Sequence, residues 1–306
     1  MAMKHATASP PMRLVHFSPL RYPGGKAKLA SFIKSIIITN SLSDGEYVEP
    51  FAGGAAVAME LLLQEYISQV HINDISRPVY TFWQSVLSNT DELCKRIRNT
   101  PLTVAAWDKQ KAVLSNPDDH DDLQLGFATF YLNRTNRSGI LNGGIIGGRE
   151  QTGVWKIDAR YNAAELINRI ESIARMRSRI HLSNLDALRF LRRGVRKWPK
   201  KTLIYLDPPY YEKARDLYYD FYKHDDHASV AKFVTKSITR QSWIVSYDNA
   251  APIRKLYAGC EDIRYTVGYS ARNRSEGTEI MFFDDNLIVP ALTGPIAVVH
   301  SNVSPC

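Results

Sequence analysis

One four-residue string groups atoms that could hold a planar heterocycle by its amino group: Asp207–Pro208–Pro209–Tyr210. It follows the apolar run Leu203–Leu206, which reads as a short strand, and open α/β sheets bind ligands at the carboxyl ends of their strands. Two prolines fix φ at about −65° and remove two N–H donors, so the rigid backbone there offers carbonyls only. A carboxylate, a carbonyl and an aromatic ring therefore sit together. They can accept hydrogen bonds from an exocyclic amine while the ring stacks on its heterocycle.

Two other stretches point to a nucleotide-like ligand. Glu49–Pro50–Phe51–Ala52–Gly53–Gly54–Ala55 lies between an apolar strand and an Ala/Met/Leu-rich helix, and its small residues let backbone approach a ligand. About 20 residues further on, Asp74 ends the next strand, where an acidic residue commonly takes ribose hydroxyls; Asp is also a strong helix N-cap, and both roles fit one residue. Tyr22–Pro23–Gly24–Gly25–Lys26 is not a phosphate loop, because the spacing is wrong and no Ser or Thr follows Lys26. Its residues can either clamp a cofactor's carboxylate and ring or form a surface turn.

The elements needed to position these groups alternate. Strands are expected at 47–49, 70–72, 180–182, 202–206 and 243–247, and a closing antiparallel hairpin at 264–269 and 279–283. Helices are expected at 55–64, 77–87, 91–98, 123–132 and 163–177, the last with Leu166, Ile170 and Ile173 at helical spacing. Short buried strands alternating with helices predict an α/β fold with a mostly parallel sheet. Residues 84–165 break the rhythm, first helical and then glycine-rich, and read as an inserted domain. The catalytic domain is then 20–83 with 166–289, after a flexible arm 1–19 and before a tail 290–306 that wraps the surface or frays.

The 306 residues suffice for one large domain or two modest ones. Hydrophobic residues at 44% and aromatics at 10% exclude disorder throughout. The longest apolar run, Phe32–Thr39, is too short to span a membrane, and three scattered cysteines build neither a disulfide framework nor a zinc site. A reducing cytoplasm is the expected compartment, and no metal is called for. The net charge is +8, and residues 131–200 hold 15 Lys and Arg against 5 Asp and Glu, a local +10. Such a zone suits either a polyanion or a solvated arginine-rich helix face.

Taken in order, Tyr22–Lys26, Glu49–Gly54, Asn73–Asp74, Tyr131–Leu132–Asn133–Arg134 and Asp207–Tyr210 resemble the Dam-like, D12 or alpha class of DNA adenine N6-methyltransferases over about Leu20–Asp284. The resemblance implies a Rossmann-like, seven-stranded methyltransferase sheet with a reversed final strand, and a helical and hairpin target-recognition domain inserted in it. It implies S-adenosylmethionine as cofactor and S-adenosylhomocysteine as product. Tyr22, Gly24, Gly25, Lys26, Glu49, Pro50, Phe51, Gly53, Asp74, Asp186 and Asp207 would bind the cofactor. Asp207, Pro208, Pro209 and Tyr210 would hold a flipped adenine, with no covalent enzyme intermediate. The partner would be double-stranded DNA, a cognate restriction endonuclease is possible, the host a bacterium or its phage, and the chain a monomer.

The recognition stretch departs from members that read GATC. Arg137 stands where those have an aromatic wedge, and Asn142 where they have a guanine-reading Arg. Asn prefers adenine edges and Arg guanine, so a site other than GATC is expected. Arg134, Arg137, Asn142, Arg149, Lys156, Arg272 and Arg274 are the candidate DNA contacts, although Asn142–Gly143–Gly144 also reads as a plain hairpin turn. Cytosine C5 chemistry needs a Cys nucleophile, and the one Pro–Cys pair is the terminal Pro305–Cys306. Cytosine N4 and RNA amine methylation share the chemistry but more often carry Ser or Asn at the 207 position. A catalytically silent DNA-binding relative is the alternative outside the enzymes.

Overall fold

The structure is a computed structural model and describes residues 17–21, 26–211, 222–267, 278–291 and 296–303. A 3-10 turn at Lys26–Leu29 leads into α1 (Ala30–Thr39), β1 (Glu46–Glu49), α2 (Ala56–Leu63) and β2 (Gln69–Asn73). Five helices follow: α3 (Arg77–Ser88), α4 (Thr90–Asn99), α5 (Val104–Ser115), α6 (Asp122–Thr135) and α7 (Ala163–Arg175). Then come β3 (Ile180–Ser183), α8 (Ala187–Gly194), β4 (Thr202–Leu206), α9 (His224–Ser237), β5 (Ser242–Asp248), α10 (Ala251–Leu256), β6 (Asp262–Val267), β7 (Thr278–Phe283) and β8 (Ile296–Ser301).

The strands form one sheet in the order β3-β2-β1-β4-β5-β7-β6-β8. The first five are parallel, and β7 enters antiparallel between β5 and β6. This is the Rossmann-like methyltransferase sheet with one strand more than expected. The extra one, β8, pairs antiparallel with β6 inside the stretch expected as a tail, with a register shift between Arg264 and Tyr265. The order in which strands are added reverses between β1 and β4, with β2 and β3 laid to one side and β4 and β5 to the other, and such a switch point opens a crevice beyond the strands' carboxyl ends. The segments after β1 and β4 are Pro50–Ala55 and Asp207–Tyr210, so the topology brings the two glycine- and proline-marked motifs to one place.

Burial explains why these runs are strands. Every residue of β4 is buried, as both faces of a parallel strand require. Tyr47, Val48, Val70 and Ile72 are fully buried beside it. The run Phe32–Thr39 is a helix because its apolar residues follow helical spacing: Phe32, Ile33, Ile36 and Ile37 are buried while Ile38 is exposed. Helix starts are set by side-chain caps: Thr103 for α5, Asp121 with Gln124 in a capping box for α6, Asn162 for α7 and Asp186 for α8.

The helical stretch between β2 and β3 shares its core with the sheet. Phe130, Tyr131 and Trp107 belong to the same apolar cluster as Phe32, Ile33 and Met59. Helix α3 runs through residues 83 and 84, the position expected for a domain boundary, without a break.

Asn73 ties the crevice end of the sheet together. Its fully buried amide donates to the carbonyls of Pro50 (3.0 Å) and Leu185 (2.9 Å), and its oxygen accepts from the Leu185 N–H (3.0 Å). Asn73→Ala orphans three backbone groups in a dry site, so stability should fall by about 3 kcal/mol, read as a lower denaturant midpoint at unchanged slope.

Candidate active site and DNA-facing surface

Asp207 follows β4 directly and meets two basic or hydroxyl partners. Lys26 Nζ lies 3.1 Å from its Oδ1, and Ser246 Oγ donates to the same oxygen at 2.7 Å. The Tyr205 hydroxyl is 2.8 Å from Ser246 Oγ and extends the chain of contacts. Lys26 also contacts Glu279 Oε2 at 2.9 Å and sits 5.5 Å above the Tyr210 ring. Glu279 accepts from the hydroxyls of Tyr210 (2.8 Å) and Tyr265 (2.9 Å). Tyr211 N–H donates to Asp248 Oδ1 at 2.8 Å, anchoring the far end of the Asp-Pro-Pro-Tyr loop to the end of β5. One ammonium thus serves two carboxylates in a mostly buried pocket.

The charges are consistent with that layout. Burial raises the Asp207 carboxyl and Glu279 adds to it, while Lys26 and the Ser246 hydroxyl oppose the rise without cancelling it. Burial would also raise Glu279, but Lys26 and three hydrogen bonds outweigh it and hold that carboxyl below its usual range. Burial alone would lower Lys26; the surrounding Asp207, Tyr265 and Glu279 drive it well above its usual value. Lys26 and Glu279 therefore stay ionised, and Asp207 is the member that protonates first as pH falls.

The turn after β1 bends through two left-handed residues, Gly53 (φ +48°) and Ala55 (φ +44°). Asp74 fixes it, accepting from Gly53 N–H at 2.8 Å through Oδ2 and from Ser76 N–H at 2.9 Å through Oδ1. Gly53 carbonyl accepts from the Trp83 indole at 2.9 Å. Phe51 is half-buried and stands edge-on to Tyr222, 5.6 Å between centroids. Glu49 turns inward and accepts from Ala58 N–H at 3.1 Å, supplying the cap that Ala55 cannot give α2. Burial pushes its carboxyl up to about 8. Asp186, exposed, caps α8 through Arg189 N–H at 3.0 Å.

The recognition stretch is rooted by two asparagines. Asn133 on α6 exchanges two hydrogen bonds with the backbone of Arg21 (2.7 and 2.6 Å) and donates to Gly139 carbonyl at 2.9 Å. Gly139 has φ +77°, and a Cβ there would meet Arg21 carbonyl at 2.5 Å, so only glycine allows this approach. Asn136 donates to the carbonyls of Ile140 and Leu141 and accepts from the Trp107 indole. Arg137 and Asn142 are exposed at the tip of the resulting turn.

Arg134 donates to Arg160 carbonyl at 2.7 Å, and Arg169 donates to Ser18 carbonyl at 3.1 Å. Burial lowers Arg134 to about 9, assisted by the neighbouring cations Arg21, Arg169 and Arg160 and opposed by Glu165. Three further guanidiniums thus neighbour Arg134, and Arg169 among them is ion-paired with Glu165. Arg149 is committed elsewhere, in a two-pronged pair with Asp108 at 2.8 Å on both arms. Lys156 donates to Gln151 carbonyl. Next to it Trp155 stands 64% exposed, its ring 5.6 Å from the Arg160 guanidinium carbon.

Tyr22, Gly24, Gly25, Arg272 and Arg274 lie outside the described residues. Glu279, Ser246, Tyr205, Tyr265 and Trp155 were not singled out in the sequence. Glu279 carried a faint signal, a lone carboxylate opening the apolar run Ile280–Phe283. Among the described residues no cluster of His, Cys, Asp and Glu could hold a metal, and no helix is long and apolar enough to cross a membrane.

The family described as D12 class N6 adenine-specific DNA methyltransferase matches residues 22–269. The chain belongs to this family. Among curated proteins, the methyltransferase is 24% identical over 266 residues to the Type II methyltransferase M.MjaIII of Methanocaldococcus jannaschii, covering 78% of this chain and 87% of that one. A solved structure described as a conserved hypothetical protein of Streptococcus pyogenes is 11% identical with a TM-score of 0.30, covering 79% of this chain and 86% of that one. That superposition is too loose to carry an argument.

Two titrations check the site. Glu279→Gln removes a charge that adds to the upward shift of Asp207, so the acid limb of the methyltransferase's kcat profile should move to lower pH. Glu49 holds its proton in the folded chain to about 8, whereas its ordinary value is 4.5. The folded state then binds more protons than the unfolded one in between, so this residue's stabilising effect is complete below about 4.5 and is lost as pH rises towards 8. Glu49→Gln should flatten the fall in melting temperature between pH 5 and pH 8 relative to the parent.

Proposed function

We propose that this adenine-specific DNA methyltransferase takes its methyl group from S-adenosylmethionine and places it on N6 of an adenine turned out of duplex DNA, at a site other than GATC. One observation carries the chemistry. Lys26 and Ser246 both contact Oδ1 of Asp207, so Oδ2 has no donor among the described residues. Its side chain keeps 21% exposure. A base amino group brought to the loop would find that oxygen oriented and unshared.

The residues beyond β1 and β2 suit the cofactor by their chemistry. Asp74 offers carboxylate oxygens for ribose hydroxyls, Gly53 allows close backbone approach, Phe51 offers an apolar wall, and exposed Asp186 can reach the adenine amine. Bound there, S-adenosylmethionine supplies an electrophilic methyl group. Asp207 Oδ2 and the Pro208 carbonyl accept the N6 hydrogens, which loosens the amine's conjugation with the ring and frees its lone pair. Asp207 is also within reach of the proton that N6 must release. Pro209 keeps the loop stiff. Tyr210, its hydroxyl held by Glu279, would supply the ring that stacks on the base.

On the DNA side, Arg134 with Arg21, Arg160 and Arg169 would meet backbone phosphates, while Arg137 and Asn142 read base edges from the turn and exposed Trp155 packs against the duplex. Arg149 and Lys156 would steady that surface through Asp108 and Gln151. Residues 84–165 serve, in this reading, as the target-recognition unit of a monomeric enzyme, with Arg272 and Arg274 as further candidate DNA contacts. A cognate restriction endonuclease and a bacterial or phage cytoplasm fit the same role.

The direct test incubates the chain with methyl-labelled S-adenosylmethionine and mixed-sequence duplex DNA, then identifies the labelled nucleoside. N6-methyldeoxyadenosine is expected, in a context other than GATC. Label in N4-methylcytosine, or at GATC only, would overturn the respective part. Asp207→Ala should lose about 10²–10³-fold in kcat while binding of DNA and S-adenosylmethionine persists.

A further inference from the structure

A strongly basic surface among the described residues lies away from Asp207. Residues 187–201 contain seven Lys and Arg and no Asp or Glu, and residues 227–241 contain three and none. These two segments hold ten positive charges against a chain total of +8, so everything else sums to −2. Six of the fifteen cations counted in 131–200 belong here rather than to the recognition stretch.

The fold turns both segments into one groove of about 1050 Å³. Helix α8 and the turn after it contribute Arg189, Arg192, Arg193 and Arg196; α9 contributes Lys232 and Lys236, and Arg240 follows it. All seven are exposed, and among the described residues none is ion-paired with a carboxylate. The floor is rigid. Gln241 donates to the carbonyls of Val195 (3.1 Å) and Trp198 (2.9 Å), and the Arg192 guanidinium lies 5.9 Å from the Phe233 ring centre.

Position separates this groove from catalysis. Val195 and Arg196 precede the amino end of β4, and Arg240 and Gln241 precede that of β5, whereas Asp207 follows the carboxyl end of β4. The length of a five-residue strand, about 16 Å, lies between them. Phosphates flanking a base held at Asp207 cannot also fill the groove.

We propose that this groove is a second, sequence-neutral site for the sugar–phosphate backbone of duplex DNA, distinct from the duplex engaged at Asp207. Its lining selects that occupant. Seven cations are joined by the hydroxyls of Ser229, Ser237 and Thr239, the donor set found on phosphate oxygens. Phe233 and Val195 are the apolar lining residues, far from the dry aromatic centre of a protein–protein interface and without the apolar face a membrane-surface helix inserts. The methyltransferase would use it to hold a neighbouring stretch of DNA while the active site searches. The choice of DNA among polyanions rests on the family's substrate; the existence of the site rests on the groove.

The test compares the full-length chain with Lys232→Gln/Lys236→Gln and with Arg192→Gln/Arg193→Gln/Lys232→Gln/Lys236→Gln, using a fluorescent 14-base-pair duplex in saturating excess, so that each site takes its own duplex. Wild type should bind two duplexes per chain and the quadruple variant one. The slope of log affinity against log salt for the weaker site should shrink in magnitude by about 2 in the double variant, close to 0.9 for each phosphate that is no longer neutralised. Methyl transfer to the short duplex should be unchanged, and transfer to kilobase DNA should fall several-fold. Asp207→Ala should keep both duplexes, which separates failure of this site from failure of the catalytic reading. One duplex per chain in wild type, unchanged salt slopes in both variants, or displacement of the second duplex by poly-glutamate as effectively per charge as by DNA would each overturn the proposal. Because the double variant alters only exposed positions on α9, its unchanged melting temperature guards against a folding defect.

Discussion

A single buried ammonium governs the catalytic end of this protein. Lys26 must face Asp207 and Glu279 at once, because two carboxylates in a mostly dry pocket repel each other unless a cation stands between them. That demand reaches into the topology. Glu279 opens β7, and because β7 runs antiparallel beside β5, its first residues lie at the carboxyl end of β5, with Asp248 opposite Glu279. A parallel β7 would start at the other edge of the sheet and leave Lys26 with one partner. Tyr265 on β6 sits opposite Glu279 as well, so two tyrosine hydroxyls and one ammonium converge on one carboxylate. The reversed strand is thus the means by which Lys26 is given a second carboxylate and the Asp207 side chain is left only partly engaged.

The sheet could be read from sequence because its strands are short, apolar and separated by strong turn formers. Helices whose apolar spacing competes with β-branched composition were harder: the isoleucine-rich stretch 32–39 reads as an apolar run until its burial pattern shows a helix. The strand at 296–301 was hidden for another reason. Residues 297–301 are all exposed at the sheet edge, so hydrophobic alternation gives no hint, and only backbone pairing with β6 defines the strand.

Within the site, residues marked by rare local chemistry were legible: Asp-Pro-Pro-Tyr, the glycine-rich turn after β1, and Asp74. Partners contributed by ordinary positions were not. Ser246 and Tyr205 look like any strand residues, and their roles follow from neighbouring register in β4 and β5. Charge counting along the chain was a poorer guide, since it merged two surfaces that the fold sends to different ends of the molecule. Linear sequence cannot separate a helix that faces the crevice from one that turns its arginines away from it.

The turn that carries Arg137 and Asn142 is secured at its base, by Asn133, Asn136, Gly139 and the Trp107 indole, and its exposed tip carries almost none of the fold's stability. In the proposed reading that tip is the part that meets DNA, and a tip mounted on a fixed stem can be exchanged one residue at a time without remaking the stem. For a protein whose usefulness depends on which short DNA word it marks, that arrangement uncouples inheritance of the scaffold from divergence of the word, and lets new specificities arise by drift at a few solvent-facing positions.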